Sequence, residues 1–76
     1  MAKPISKEHQ LFGNRIKELR TQEGITQEDL AFKIGVDRSY MGFVERGERN
    51  PTLSKIAKIA KTLNISLSEL FKVYKE

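Results

Sequence analysis

Thr26 to Pro51 reads TQEDLAFKIGVDRSYMGFVERGERNP, and its glycines cut it into two very short helices joined by a corner. Thr26 is a good N-cap, and Asp29, three residues on, can return its carboxylate to the free Thr26 N–H. Leu30, Ala31 and Ile34 then share one face, and Gly35 stops the helix after barely two turns. Asp37 caps the next helix only two residues later, too short a link for anything but a tight corner. That second helix runs from Arg38 to Arg46 and stops at Gly47, with Met41, Val44 and part of Tyr40 facing inward. At about 100° per residue the opposite side collects Arg38, Ser39, Gly42, Phe43 and Arg46. No carboxylate lies there except Asp37 at the cap. Gly42 costs helix propensity of about 1 kcal/mol relative to alanine, and Phe43 presents an aromatic ring outward. A folding argument alone would choose neither.

Outward from this stretch the chain continues as helices. Before it, Ser6 caps a helix reaching Glu23, with Phe12, Ile16 and Leu19 on one stripe. Gly24 supplies a left-handed stop and Ile25 folds back over the helix end. After it, Pro51 blocks propagation from upstream, Thr52 caps, and Leu53, Ile56, Ala57, Ala60 and Leu63 form the expected buried stripe. Lys55, Lys58 and Lys61 line another, solvated face. The text SLSEL pairs Ser66 with Glu69 in a capping box and opens a last helix carrying Leu67, Leu70 and Phe71, and extending toward Val73 and Tyr74. Alternating strand patterns are absent. The expectation is therefore an all-α, compact five-helix domain over residues 6–76, preceded by a loose arm at residues 1–5.

Composition narrows the function. The 76 residues hold no cysteine, so a disulfide framework, a thiolate metal site and a cysteine nucleophile are excluded. His9 is the only histidine and reads as a solvated residue, which with no carboxylate cluster argues against a metal site. No cofactor is expected. No apolar run approaches the roughly 20 residues needed to span a bilayer, and the polar start MAKPISKEHQ is unlike a signal peptide, so the expected location is the cytoplasm. Fourteen Lys and Arg against ten Asp and Glu give a net charge of +4 and a pI of 9.6, a balance attracted to polyanions.

Two short helices around a glycine corner are the ingredients of a helix-turn-helix, whose second helix enters the DNA major groove. Within that frame a missing side chain at Gly42 removes an obstacle to close approach. Phe43 either packs on a thymine methyl, a contact offered only by the major groove, or joins the core if the helix is rotated. Arg38 can make the bidentate pair to guanine, which accounts for a cation at a helix N-terminus where the dipole disfavours it. Ser39 can bond a neighbouring base.

The segment TQEDLAFKIGVDRSYMGFVERGERNPTLSKIAKIAKTLNISLSELF is similar to the Xre/Cro/C1-type helix-turn-helix family over about Leu11 to Phe71. The resemblance rests on Thr26-Gln27-Glu28-x-Leu30-Ala31, Gly35-Val36, Glu45-x-Gly47 and Asn50-Pro51. DRSY followed by ERGERN looks most like the controller proteins of restriction–modification systems, dimeric regulators that bind paired operators and act as activator and repressor. This implies that Gln27 reaches a phosphate, that Arg38 and Ser39 lie on bases, and that Arg46, Arg49 and Asn50 run along the phosphates. Tyr40 is then a contact to the backbone or to deformed DNA, or else a partly buried spacer. Arg20 and Glu45 form a structural ion pair in this pattern. The chain departs from the commonest family pattern at Gly42 and Phe43.

The expected partners are a double-stranded DNA operator and a second copy of the chain, with RNA polymerase as a further candidate. Leu67, Phe71, Val73 and Tyr74 either close the monomer core or form the dimer interface. The competing reading is a protein-interaction adaptor or antitoxin-type regulator on the same fold. An enzyme is disfavoured, since no nucleophile–base pair, metal spacing or phosphate-binding glycine loop is present.

Overall fold

The computed structural model describes residues 6–73. Within them the chain forms α1 (Lys7–Gln22), α2 (Gln27–Ile34), α3 (Arg38–Glu45), α4 (Leu53–Thr62) and α5 (Leu67–Leu70), with no strand among the described residues. The expected arm, residues 1–5, and Tyr74 lie outside the described residues. No helix is long and apolar enough to cross a membrane.

Each helix begins on a side chain that accepts a hydrogen bond from an otherwise unpaired N–H. Ser6, Thr26, Asp37, Thr52 and Ser66 all do so in extended backbone conformation. Thr26 and Asp29 complete the reciprocal box at α2. At α5 only half of the expected box forms, because the Glu69 carboxylate turns away to Arg15 and Lys72. The left-handed stop at Gly35, φ 80°, lets the chain reverse in the two residues before Arg38.

The core is one cluster built from Phe12, Ile16 and Leu19 of α1, Leu30, Ala31 and Ile34 of α2, Met41 and Val44 of α3, Ile59, Ala60 and Leu63 around α4, and Leu70. In α4 the buried stripe is not the one expected. Leu53 is 71% exposed and Ala57 is exposed, while Ile59 is fully buried. At about 100° per residue, Ile56, Ile59, Ala60 and Leu63 centre a stripe that leaves Leu53 about 70° and Ala57 about 110° to one side. The last helix is also shorter than expected, four residues followed by a turn through Val73. Phe71, past its end, stacks on Phe12 at 5.4 Å between centroids.

Close backbone approach joins α1 to α3. A Cβ on Gly13, in the second turn of α1, would lie 2.4 Å from the Glu45 carbonyl oxygen and 2.5 Å from that of Val44. Only a residue without a side chain permits this contact.

Candidate nucleic-acid interface

The corner between α2 and α3 is fixed from beneath by a polar network. Glu45, whose side chain is only 3% exposed, accepts from Arg20 Nε at 2.7 Å and from Arg20 Nη2 at 3.0 Å. The same guanidinium donates through Nη1 to the Ile25 carbonyl, tying the end of α1 to the loop before α2. Gln27, the first residue of α2, donates from Nε2 to Glu45 Oε1 at 2.9 Å. A two-pronged guanidinium–carboxylate pair fixes direction as well as distance. The start of α2 and the end of α3 are thus held to one another by a single carboxylate.

Met41 and Val44 face the core as the spacing predicts, and one position of α3 departs from the reading from sequence. Beside that face Glu45 is buried, and beyond it on the same flank Gly42 is buried too. Gly42 therefore does not lie on the free outer face where the spacing put it. Above it sits Arg46: a Cβ at Gly42 would lie 3.2 Å from Arg46 Nη1 and 3.9 Å from Gln27 Oε1.

The outer face holds the remaining candidates. Arg38 and Ser39 are exposed in the first turn of α3, and Phe43, 37% exposed, stands one turn further on. Met41 and Val44 hold the opposite side in the core, so Phe43 is not a core residue. The Arg46 guanidinium lies over the Phe43 ring at 5.0 Å, and that of Arg49 lies 5.8 Å from both the Phe43 and Tyr40 ring centroids. Tyr40 is half-buried against the core. Asn50 is exposed beside Arg49 in the loop before α4. Arg46 Nε also pairs with Glu48 at 3.3 Å.

Beside this face, Gln10, Asn14 and Lys17 of α1 border a cleft shared with Gln27, Glu45, Arg46 and Glu48. The sequence reading passed over these three, although their i, i+4, i+7 spacing on the polar side of α1 was there to be used. The expected dimer residues divide. Leu67 is 40% exposed, Phe71 is packed on Phe12, and Val73 is half-buried. Leu53 and Ala57 add exposed apolar surface on α4, and a shallow groove runs between Ala57, Ile65 and Leu67. Among the described residues no group of three or more His, Cys, Asp or Glu could hold a metal ion.

Two short helices locked at a fixed corner, the second presenting arginines and an aromatic ring on a convex outer face, are the build of a DNA-binding transcriptional regulator of the helix-turn-helix class. The chain belongs to the helix-turn-helix family, whose model matches residues 16–70. Among similar proteins are the control protein C.MunI of a Mycoplasma species, 44% identical over 61 residues that span 79% of this chain and 82% of that protein, and an uncharacterised transcriptional regulator of Archaeoglobus fulgidus, 46% identical over 57 residues that span 75% of this chain and 81% of that protein. Among solved structures, the restriction–modification controller protein C.AhdI from Aeromonas hydrophila superposes with a TM-score of 0.83 at 52% identity, covering 87% of this chain and all of that one.

Proposed function

We propose that the protein is a restriction–modification controller that binds a pseudo-palindromic operator as a dimer and acts there as both activator and repressor. The observation that carries this is the outer face of α3, where exposed Arg38 and Ser39 are followed by Phe43 flanked by two arginines. Similarity to named controller proteins over most of the chain supports the same reading.

In this assignment Arg38, Ser39 and Phe43 contact base edges, Arg38 through the bidentate pair to guanine and Phe43 through a thymine methyl. Gln27, Tyr40, Arg46, Arg49 and Asn50 contact the DNA backbone. Gln27 has one amide hydrogen committed to Glu45 and a second to offer a phosphate at the positive end of α2. Phosphate contacts set register and affinity, whereas base contacts set sequence. A second copy seats on the exposed apolar surface at Leu67 and Val73 together with Leu53 and Ala57. Burial there adds apolar area to a core that is small by virtue of chain length. Activation from such an operator makes RNA polymerase a further partner.

Selection from randomised duplex DNA at about 0.15 M ionic strength tests the proposal. The expected result is a two-fold symmetric motif whose half-sites lie about one helical turn apart, on the order of 34 Å. Arg38→Ala is expected to cost about 1–3 kcal/mol on that motif and to relax one base position in each half-site. If the preferred sequence survives Arg38→Ala intact, the residue is not a base reader. Arg49→Ala is expected to weaken all duplexes alike and to flatten the dependence of log affinity on log salt by about one unit. An equal salt slope in parent and variant would remove Arg49 from the phosphate track.

Phe32, 84% exposed on α2 and away from this face, is the observation that favours a second reading, in which the fold serves as a protein adaptor or antitoxin. That reading predicts no enriched motif and a tight complex with the product of a neighbouring gene.

A further inference from the structure

A helix that places glycine at 42 and phenylalanine at 43 gives up propensity and exposes an aromatic ring in consecutive positions. The structure links the two through one side chain. Arg46 follows Gly42 by four residues, so its side chain projects back over the preceding turn, toward the N-terminal end of α3. There its Nη1 occupies the space that a side chain at 42 would begin to fill, 3.2 Å from the site of the missing Cβ. The guanidinium carbon lies over the Phe43 ring, 5.0 Å from its centroid, and Nε is paired with Glu48 at 3.3 Å. Phe43 also takes Arg49 at 5.8 Å, with Tyr40 at the same distance from that guanidinium. Even so held, the Arg46 side chain is 55% exposed.

We infer that Gly42 and Phe43 together form a seat that orders Arg46, and through the same ring Arg49, before DNA arrives, so that the two are positioning residues for the phosphate clamp. This rests on the DNA-binding reading proposed above and adds a role to residues that reading treats only as clearance and base contact. An arginine free in solution must be ordered when it binds, and that loss of freedom weakens the complex. A guanidinium already lying over a ring, in a side chain still 55% exposed, has lost that freedom on folding instead. Cation–π contact leaves the N–H groups in the guanidinium plane available to a phosphate. Glu48 holds Arg46 only by an exposed pair, which a phosphate can replace.

The inference separates stability from affinity. Gly42→Ala restores helix propensity and meets only the far end of a flexible side chain, so the variant is expected to melt at or above the parent temperature. Its affinity for the selected operator is nevertheless expected to fall about fivefold, and for a scrambled duplex by the same factor, because Arg46 loses its place. In an Arg46→Ala background the same change at 42 is expected to have no further effect, within about twofold. Phe43→Leu keeps an apolar contact for a thymine methyl but has no ring face. It is expected to lower affinity about tenfold on all sequences without altering the selected motif, while Phe43→Tyr stays close to the parent.

Fluorescence anisotropy on operator and scrambled duplexes, with the parent, the four single variants (Gly42→Ala, Arg46→Ala, Phe43→Leu and Phe43→Tyr) and the Gly42→Ala/Arg46→Ala double variant, reads all of this. A loss from Gly42→Ala that persists in full without Arg46 would overturn the seat and make Gly42 a clearance for DNA itself. A changed motif with unchanged scrambled-duplex affinity in Phe43→Leu would overturn it too, leaving Phe43 as a base reader alone. Should the parent fail to bind either duplex, the DNA-binding reading falls and the seat falls with it.

Discussion

Replacing Glu45 by alanine is expected to lower stability by about 3–5 kcal/mol, the loss that follows when one partner of a buried ion pair is removed and the other is left uncompensated. The Arg20 side chain is 13% exposed and spends two donors on Glu45, so without the carboxylate a charge remains in the interior with only the Ile25 carbonyl beside it. Gln27 loses its acceptor at the same time. A chain of 76 residues is stable by about 4–11 kcal/mol in all, so the variant is expected to lose from about a quarter to the whole of its stability. Urea denaturation followed by far-ultraviolet circular dichroism measures the difference. The expected signature of a desolvated pair, as opposed to a solvated one, is that a double replacement, Arg20→Met with Glu45→Leu, is less damaging than Glu45→Ala alone. A loss below about 1 kcal/mol for the single variant would place the pair among ordinary surface bridges.

Gly13→Ala is expected to act in the direction opposite to helix propensity. In an exposed helix interior this change stabilises by about 1 kcal/mol. Here the new methyl group would stand 2.4 Å from one carbonyl oxygen and 2.5 Å from another, both belonging to the backbone of α3, which cannot rotate aside as a side chain can. Overpacking of this kind costs about 1–3 kcal/mol and more when the obstacle is rigid. The clash wins, and the net loss is expected to lower the melting midpoint by more than about 10 °C, at roughly 4–8 °C per kcal/mol for a domain of this size. A thermal melt settles the sign directly: a rise in the midpoint would mean that α1 and α3 do not approach as closely as described. Because the obstructing oxygen is that of Glu45, the effects of Gly13→Ala and Glu45→Ala should not add.

Local chemistry made much of the fold legible. Ser6, Thr26, Asp37, Thr52 and Ser66 each satisfy an N–H three residues ahead, and Gly24, Gly35 and Gly47 take positive φ at helix ends, so helix boundaries follow from short-range rules. Where the reading went astray, the deciding contact came from far along the chain. Leu53 and Ile59 both fit an apolar stripe, and only the position of the neighbouring helices decides which flank is covered. Gly13 carries no signal in the sequence, because its obstacle is the backbone of another helix. A helical wheel puts Gly42 on the outer face because it does not register the side chains of Arg46 and Gln27 that lie over it.

The candidate site divides along the same line. The outer residues of α3 follow from periodicity, so Arg38, Ser39 and Phe43 could be placed before any coordinates. The gathering of Tyr40, Phe43, Arg46 and Arg49 could not, because Arg49 comes after the left-handed reversal at Gly47 and returns to α3 from outside the helix. Gln27 reached the site through resemblance alone; its bond to Glu45 is a long-range contact that no spacing rule supplies.

Arg15 gives α5 its anchor, donating from Nη2 to the Glu69 carbonyl at 2.9 Å and to the Glu69 carboxylate at 3.0 Å. A four-residue helix has no stability of its own, since nucleation alone outweighs the bonds so short a segment can form. The surface on which we propose a second copy rests is thus tied to the first helix: without the Arg15 guanidinium the segment that carries Leu67 loses its polar hold, whereas the corner between α2 and α3, tied by Arg20 and Glu45, keeps its own.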